Sequence, residues 1–254
     1  MRLRMYDLNG KIAVVTGASA GIGKAVALAL ADAGADVALI GRDEARLASV
    51  AESIIAKGRR AMPLVTELAD VSAIAPAFAS IAADLGPVDI LVNNAGINKT
   101  EPAVTVTPET WDRIQAVNVR APFFCAQAVA PGMLARGSGK IIFIASDAGV
   151  RGFAEHATYG TSKGAVIQLT RILAAEWAAQ GVQVNSIAPG ATWTGMTAPA
   201  MEDPAIAASI IGRGFSGRIS HPEEIAAAVV FLASNAADQI VGQTIFVDGG
   251  STAR

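Results

Sequence analysis

The chain has a single cysteine, no apolar run of eighteen residues and no block of like charge. Cys125 has no partner for an intrachain disulfide and no His or Cys at zinc-ligand spacing. Set in Pro-Phe-Phe-Cys-Ala-Gln-Ala, it reads as a buried apolar filler. Gly, Pro, Asp or Lys interrupts each apolar stretch, so no transmembrane helix is predicted. The opening residues, Met1–Lys11, are charged and lack the apolar stretch of a secretory signal, which makes the cytoplasm the expected location. An excess of basic residues is missing too. With 20 Lys+Arg against 22 Asp+Glu the formal charge is -2, which argues against a nucleic-acid binder. No linker, low-complexity tract or internal repeat divides residues 1–254, so one domain is expected.

Alanine is abundant instead, with 53 of the 254 residues, and small side chains let helices pack closely. Short β-branched runs alternate with these Ala-rich stretches: residues 12–16, 36–40, 61–65, 89–93, 140–145, 182–188 and 244–248. Helix-like segments fill the gaps at 22–33, 44–57, 71–85, 111–135, 158–179 and 222–233, each long enough for a right-handed crossover. The rhythm predicts a doubly wound α/β fold, a seven-stranded mostly parallel sheet with helices on both faces. From Pro189 to Ile219 it breaks, because five Gly and three Pro are too many for one continuous element. An irregular segment of that length after a strand's carboxyl end is either a lid over a ligand crevice, at about residues 190–219, or a plain surface loop.

Thr16-Gly17-Ala18-Ser19-Ala20-Gly21-Ile22-Gly23 follows the first strand and opens a helix, the context in which a glycine pattern cradles a dinucleotide pyrophosphate. Gly17 and Gly21 permit close backbone approach, and Gly23 lets the helix pack on the sheet. A site for NAD usually places a carboxylate at the end of the second strand, about 20 residues on, to accept from the ribose 2′-hydroxyl. Here the strand ends Ile40-Gly41-Arg42, so Arg42 is placed to pair with a 2′-phosphate, which favours NADP and leaves NAD possible. Asp43 is assigned to capping the next helix rather than to ribose.

Tyr159 and Lys163 stand four residues apart, on one helical face. A cation beside a phenol stabilises phenolate, so a pKa near 10 is expected to fall toward the range of acid–base transfer. Tyr-x-x-x-Lys alone also fits an ordinary solvated helix face. Its company is more specific: Asn93-Asn94-Ala95-Gly96 at the end of the fourth strand, Asn118, Ser146, Pro189-Gly190 and Thr194, and a terminal Val247-Asp248-Gly249-Gly250.

With these motifs in this order, essentially the whole chain resembles the short-chain dehydrogenase/reductase family. The resemblance implies that Tyr159 protonates a carbonyl oxygen during reduction, that Lys163 lowers the tyrosine's pKa and binds the nicotinamide ribose, that Ser146 donates to the substrate oxygen, and that Asn118 holds a relay water. It further implies a cofactor bed of Gly17, Ser19, Ala20, Gly21, Ile22, Gly23, Arg42, Glu67, Leu68, Asn94, Ala95 and Gly96. Ile187, Pro189, Gly190, Thr192 and Thr194 would hold the nicotinamide end. Three positions depart from the family's pattern: Glu67-Leu68 replaces the usual Asp-Val or Asp-Leu at the adenine contact, Ala20 stands where many NADP-using members have a basic residue, and Asp147 follows Ser146 where small residues are commoner. Asp147 either faces substrate or caps the following turn.

The candidate substrate pocket is amphipathic, with Arg151, His156, Trp193 and Met196, and with Arg213, Phe215 and Arg218 from the lid segment. Arg151 or His156 is placed to hold a substrate carboxylate or hydroxyl, unless the two are simply a solvated arginine and a structural histidine. The closest patterns are gluconate 5-dehydrogenase-like and 3-oxoacyl-carrier-protein reductase-like members. An acidic acyl-carrier partner would need a basic docking surface, yet residues 133–140 and 176–182 supply only Arg136 and Lys140, which ranks a small polar keto compound such as a sugar acid first. The non-enzyme alternative is a nucleotide-sensing scaffold that has lost turnover. No metal site is expected, and family habit together with apolar helices at 111–135 and 158–179 predicts a homotetramer.

Overall fold

Seven β-branched runs become seven strands: β1 (Ile12–Thr16), β2 (Asp36–Gly41), β3 (Ala61–Val65), β4 (Ile90–Asn93), β5 (Gly139–Ile144), β6 (Val182–Pro189) and β7 (Thr244–Val247). The structure, a computed structural model, describes residues 6–254; Met1–Met5, part of the charged opening stretch, lie outside the described residues. The strands form one sheet in the order β3-β2-β1-β4-β5-β6-β7, and every pairing is parallel. Val14 pairs with Ala38 of β2 on one side and Leu91 of β4 on the other, so the strand order reverses at β1. In such sheets the crevice outside the carboxyl ends at the reversal is the ligand position.

The crossovers are α1 (Gly21–Asp32), α2 (Glu44–Ile55), α3 (Ile74–Asp84), α4 (Pro108–Gln115), α5 (Ala121–Arg136), α6 (Ala157–Trp177), α7 (Ala198–Met201), α8 (Pro204–Ile211) and α9 (Pro222–Ala233). Alternation along the strands sends Ala13 and Val15 to a core shared with α1, α2 and α9, whereas Val14 faces the core under α3, α5 and α6. Both faces of the sheet are thereby buried, which is why β1 and β2 are apolar almost throughout. Cys125 is fully buried in the second core, and desolvation pushes its thiol up to about 12, as suits an inert filler.

Local chemistry fixes the helix starts. Asp43 accepts from the Arg46 N–H at 3.0 Å and Asp203 from the Ala205 N–H at 2.8 Å. At α9 the Glu224 carboxylate reaches back to the His221 N–H at 2.8 Å.

Two expected elements differ. The helix expected over 111–135 is α4 and α5 joined by a wide π turn at Ala116–Arg120, followed by Pro122, which lacks a backbone donor. The segment after β6 is not irregular throughout: it carries α7 and α8. Its ends are pinned together, since Thr192 bridges Ser220, the Trp193 N–H donates to Ser220 O at 2.9 Å, and the Ser220 N–H donates to Ala191 O at 2.9 Å.

Phe143 on β5 is the largest fully buried side chain, packed between strands and α5/α6 in the second core. Phe143→Ala is expected to lower unfolding free energy by roughly 3–5 kcal/mol, read from the urea midpoint, because the sheet cannot collapse into the cavity. A loss under about 1 kcal/mol would show that this layer is loosely packed.

Candidate active site

At the strand reversal the chain folds its glycine turn against the end of β4. Thr16 Oγ1 accepts from the N–H groups of Asn94 and Ala95, both at 3.0 Å, while Asn94 Nδ2 donates to Thr16 O and Gly17 O at 3.0 and 3.1 Å. The turn needs its glycines for space. A Cβ on Gly17, where φ is +66°, would lie 2.9 Å from Ala95 Cα, and one on Gly23 would lie 2.1 Å from Gly17 O. Ala20, at the N-cap of α1, has no side-chain acceptor, so the first N–H groups of the helix are left for an anion.

A cavity of about 520 Å³ runs from this turn along the sheet edge. Its lining includes Gly17, Ser19, Ala20, Gly21, Ile22, Arg42, Glu67, Leu68, Asn94, Ala95, Gly96, Ser146, Tyr159, Lys163, Pro189, Gly190, Thr192 and Thr194. Gly23 lies behind the wall as a packing residue, as Asn118 does. Arg42 and Asp43 occupy one end, where Asp43 caps α2 and is also paired with Arg46 at 3.2 Å. Glu67 accepts from the Ala69 N–H and from Arg113, both at 3.0 Å, and is ion-paired with Arg42 at 3.6 Å. The Ala69 N–H most of all, then the two guanidiniums, keeps its carboxyl below the ordinary range despite partial burial.

The other end carries the acid–base groups. Ser146 is buried at the end of β5, accepts from the Ala148 N–H at 3.2 Å and points its hydroxyl at Asp147 Oδ1, 3.2 Å away. Tyr159 and Lys163 sit one turn apart on α6, with the Lys163 ammonium 5.6 Å from the phenol ring centre and donating to Ile144 O at 2.7 Å. Lys163 is 4% exposed with no carboxylate acting on it, so burial lowers its pKa to about 8. The expected fall of the tyrosine's pKa is reversed: desolvation pushes it up to about 12, the nearby Asp147 charge adds to the rise, and Ser146 opposes it. The lysine fails to lower it because its ammonium is directed to a backbone carbonyl rather than to the phenol oxygen. Asn118, in the π turn, accepts from the Ile97 N–H and donates to Ile97 O, both at 2.9 Å, and donates to Ser162 Oγ at 3.0 Å. Gly96 stands between Asn118 and Lys163; a Cβ there would come within 3.4 Å of one and 3.5 Å of the other.

Of the residues expected to meet substrate, Ser146 and Met196 line the cavity, whereas Arg151, His156 and Trp193 do not. Arg151 donates to Ser251 Oγ at 2.6 Å and to the Ser251 carbonyl, so its guanidinium is tied into the C-terminal segment. His156 bonds Ala154 O through Nδ1 at 2.8 Å and meets Tyr159 edge-on at 6.3 Å, while Trp193 is 44% exposed. Arg218 is paired with Glu224 at 2.6 Å, and Arg213 stacks on Phe153 at 4.7 Å. Residues that sequence reasoning missed include Arg46, Thr66, Arg113, Val117 and Thr197. Arg46 was marked by its place four residues after Arg42, in the first turn of α2, whereas Arg113 had no local signal, because α4 brings it to Glu67 across 46 residues. Among the described residues no His/Cys/Asp/Glu group could hold a metal, and no helix is long and apolar enough to cross a membrane.

The model of a family described as enoyl-(acyl carrier protein) reductase matches residues 17–252. The chain belongs to the short-chain dehydrogenase/reductase family and is an oxidoreductase acting on CH–OH groups. It is 39% identical over 255 residues, covering 100% of both chains, to a 2-dehydro-3-deoxy-D-gluconate 5-dehydrogenase of Dickeya dadantii. It is 38% identical to a 3-oxoacyl-[acyl-carrier-protein] reductase of Vibrio harveyi, with 96% of this chain and 98% of that one covered. A crystal structure of a gluconate 5-dehydrogenase from Burkholderia cenocepacia J2315, in complex with NADP and tartrate, superposes with a TM-score of 0.96 at 38% identity and full coverage of both chains.

Burial of Lys163 has a measurable cost. Its folded pKa, about 8, lies below the ordinary 10.5, so the folded state resists protonation, and stability rises as pH climbs from about 8 to 10.5. Lys163→Met is expected to raise unfolding free energy at pH 7 by roughly 1–3 kcal/mol, the gain shrinking through that window. Urea melts at pH 7 and pH 10 check this; a variant less stable than wild type at pH 7 would show that the ammonium is not strained.

Proposed function

We propose that the protein transfers hydride between NADP(H) and a small polar carbonyl compound or its secondary alcohol, of the sugar-acid kind. What carries the reading is one continuous cavity with Ser146, Tyr159 and Lys163 at one end and Arg42 and Arg46 at the other. The cofactor supplies the hydride chemistry. The glycine turn and the uncapped start of α1 suit its pyrophosphate, where a Cβ on Gly17 or Gly23 would collide with backbone. β2 ends at Gly41 and Asp43 is committed to its cap, so no carboxylate is directed at a ribose 2′-hydroxyl, and two arginines suit a 2′-phosphate. NADP in the Burkholderia structure supports the same choice. NAD remains the second cofactor.

Tyr159 is the proton donor to the carbonyl oxygen in reduction, and Ser146 donates a second hydrogen bond to that oxygen as charge develops. Lys163 orients the nicotinamide ribose. Asn118 fixes the wall behind Lys163 and holds the relay water. The segment at 190–219 is the substrate lid, hinged where Thr192 meets Ser220. His156 faces the reacting end from beside Tyr159; Trp193 belongs to the lid.

A 3-oxoacyl-carrier-protein reductase is the second reading, supported by the Vibrio relative. Arg136 and Lys140, the cations considered for carrier docking, are occupied by Val88 O at 2.7 Å and Asp238 at 2.6 Å, which favours the small substrate. We place the protein in the cytoplasm as a single-domain subunit of a homotetramer, a reading supported by outward Trp111 and Ile172, which are 40% and 46% exposed on α4 and α6.

Fluorescence titration with NADPH and NADH is expected to favour NADPH by about tenfold or more, near 1.4 kcal/mol, with the preference collapsing in Arg42→Ala. NADH preferred by wild type would overturn the cofactor assignment. Tyr159→Phe is expected to abolish D-gluconate oxidation by NADP while leaving cofactor affinity nearly unchanged, because the phenol acts on substrate oxygen; comparable turnover would remove Tyr159 from its role. Light scattering should give four subunits, and a stable monomer would reject the assembly.

A further inference from the structure

Directly after Ser146 the chain buries a carboxylate that the mechanism above does not use. Asp147 is 7% exposed, and no lysine or arginine acts on it among the described residues. Oδ1 receives the Ser146 hydroxyl at 3.2 Å and Oδ2 receives the Ser251 hydroxyl at 3.0 Å. A buried, unpaired carboxylate is costly and persists only where its surroundings hold it. Those surroundings are the last residues of the chain. Asp248 turns the backbone back by accepting from the Gly250 N–H at 3.0 Å and the Thr252 N–H at 2.7 Å, and Arg151 clamps Ser251. The same segment meets the second half of the 190–219 segment, where the Ser216 N–H donates to Gly249 O at 3.0 Å.

We propose that Asp147 is a positioning residue for the Ser146–Tyr159 pair: its carboxylate holds the Ser146 hydroxyl proton on one side while Ser251 anchors it on the other. The proposal rests on the assignment of Ser146 and Tyr159 to the reaction. Ser146 has one hydroxyl proton and three claimants for it: Asp147, the Tyr159 oxygen and a substrate oxygen. An ionised Asp147 draws that proton away from the phenol and sets a negative charge near it, so both effects oppose phenolate. The other groups facing the pair do not cancel this. Lys163 is directed to Ile144 O, His156 meets the phenol ring only edge-on, Asp248 adds like charge, and Arg151 reaches Ser251. Asp147 thereby keeps Tyr159 protonated, as a proton donor should be, in the direction of carbonyl reduction.

The chain has two tyrosines, Tyr6 and Tyr159, so Tyr6→Phe leaves a single phenol whose ultraviolet absorbance can be read without any substrate. With NADP bound, Asp147→Asn in that background is expected to show several-fold more phenolate than its parent at each pH between neutrality and alkaline unfolding. Equal or lower phenolate overturns the proposal. Ser251→Ala leaves the carboxylate in place but removes its anchor, so its phenolate should stay well below that of Asp147→Asn. A rise in Ser251→Ala equal to that of Asp147→Asn also overturns the proposal, because general loosening of the site would move both variants the same way. This readout is separate from the assignment beneath it: that assignment fails if Tyr159→Phe still oxidises D-gluconate, whatever Asp147 does.

Discussion

The molecule depends on the seam between the glycine turn and the end of β4. Thr16 Oγ1 serves two backbone N–H groups there, and the Asn94 side chain returns two hydrogen bonds to the turn's carbonyls. β1 and β4 are neighbours only because the strand order reverses between them, so the turn and the Asn94 loop diverge to opposite faces of the sheet. Without the seam they would part and the cavity would lose its floor. Polar groups at such a place must be satisfied internally, and one threonine and one asparagine do this without charge.

A second constraint brings the acid–base groups within reach of that floor. The turn after Ser146 lies almost on the backbone of α6: a Cβ on Gly149 would be 2.8 Å from Lys163 C, and one on Gly160 would be 3.0 Å from Ala148 O. Glycine on both partners allows β5's end and the helix to approach until Ser146 stands beside Tyr159. The π turn acts similarly from the other side, because the extra residue it inserts directs Asn118 inward to tie Ile97 to Ser162.

Sequence pattern carried the strands and much of the cavity lining, because period, glycine spacing and capping residues are local signals. Asp43 was legible as a cap for that reason. What was not legible came from contacts across the chain. Arg151 looked like a substrate residue until Ser251, 100 residues away, was found to hold it. Arg113 joins Glu67 through tertiary packing alone. The tyrosine's pKa went the other way because spacing shows that a lysine is near but not where its ammonium points.

The electrostatic design follows from these placements. Tyr159 lies between two buried charges of opposite sign, Lys163 on its own helix and Asp147 on the facing turn, and neither is neutralised by a direct ion pair among the described residues. Burial weakens screening, so the Asp147 charge acts on the phenol more strongly than a surface charge would, whereas the Lys163 ammonium is directed to Ile144 O. Folding strains both groups in opposite directions: the lysine toward losing its proton, the aspartate toward gaining one. A site held this way is poised rather than relaxed. The carboxylate's place in that balance is fixed by the Ser251 hydroxyl, and Ser251 is itself clamped by Arg151.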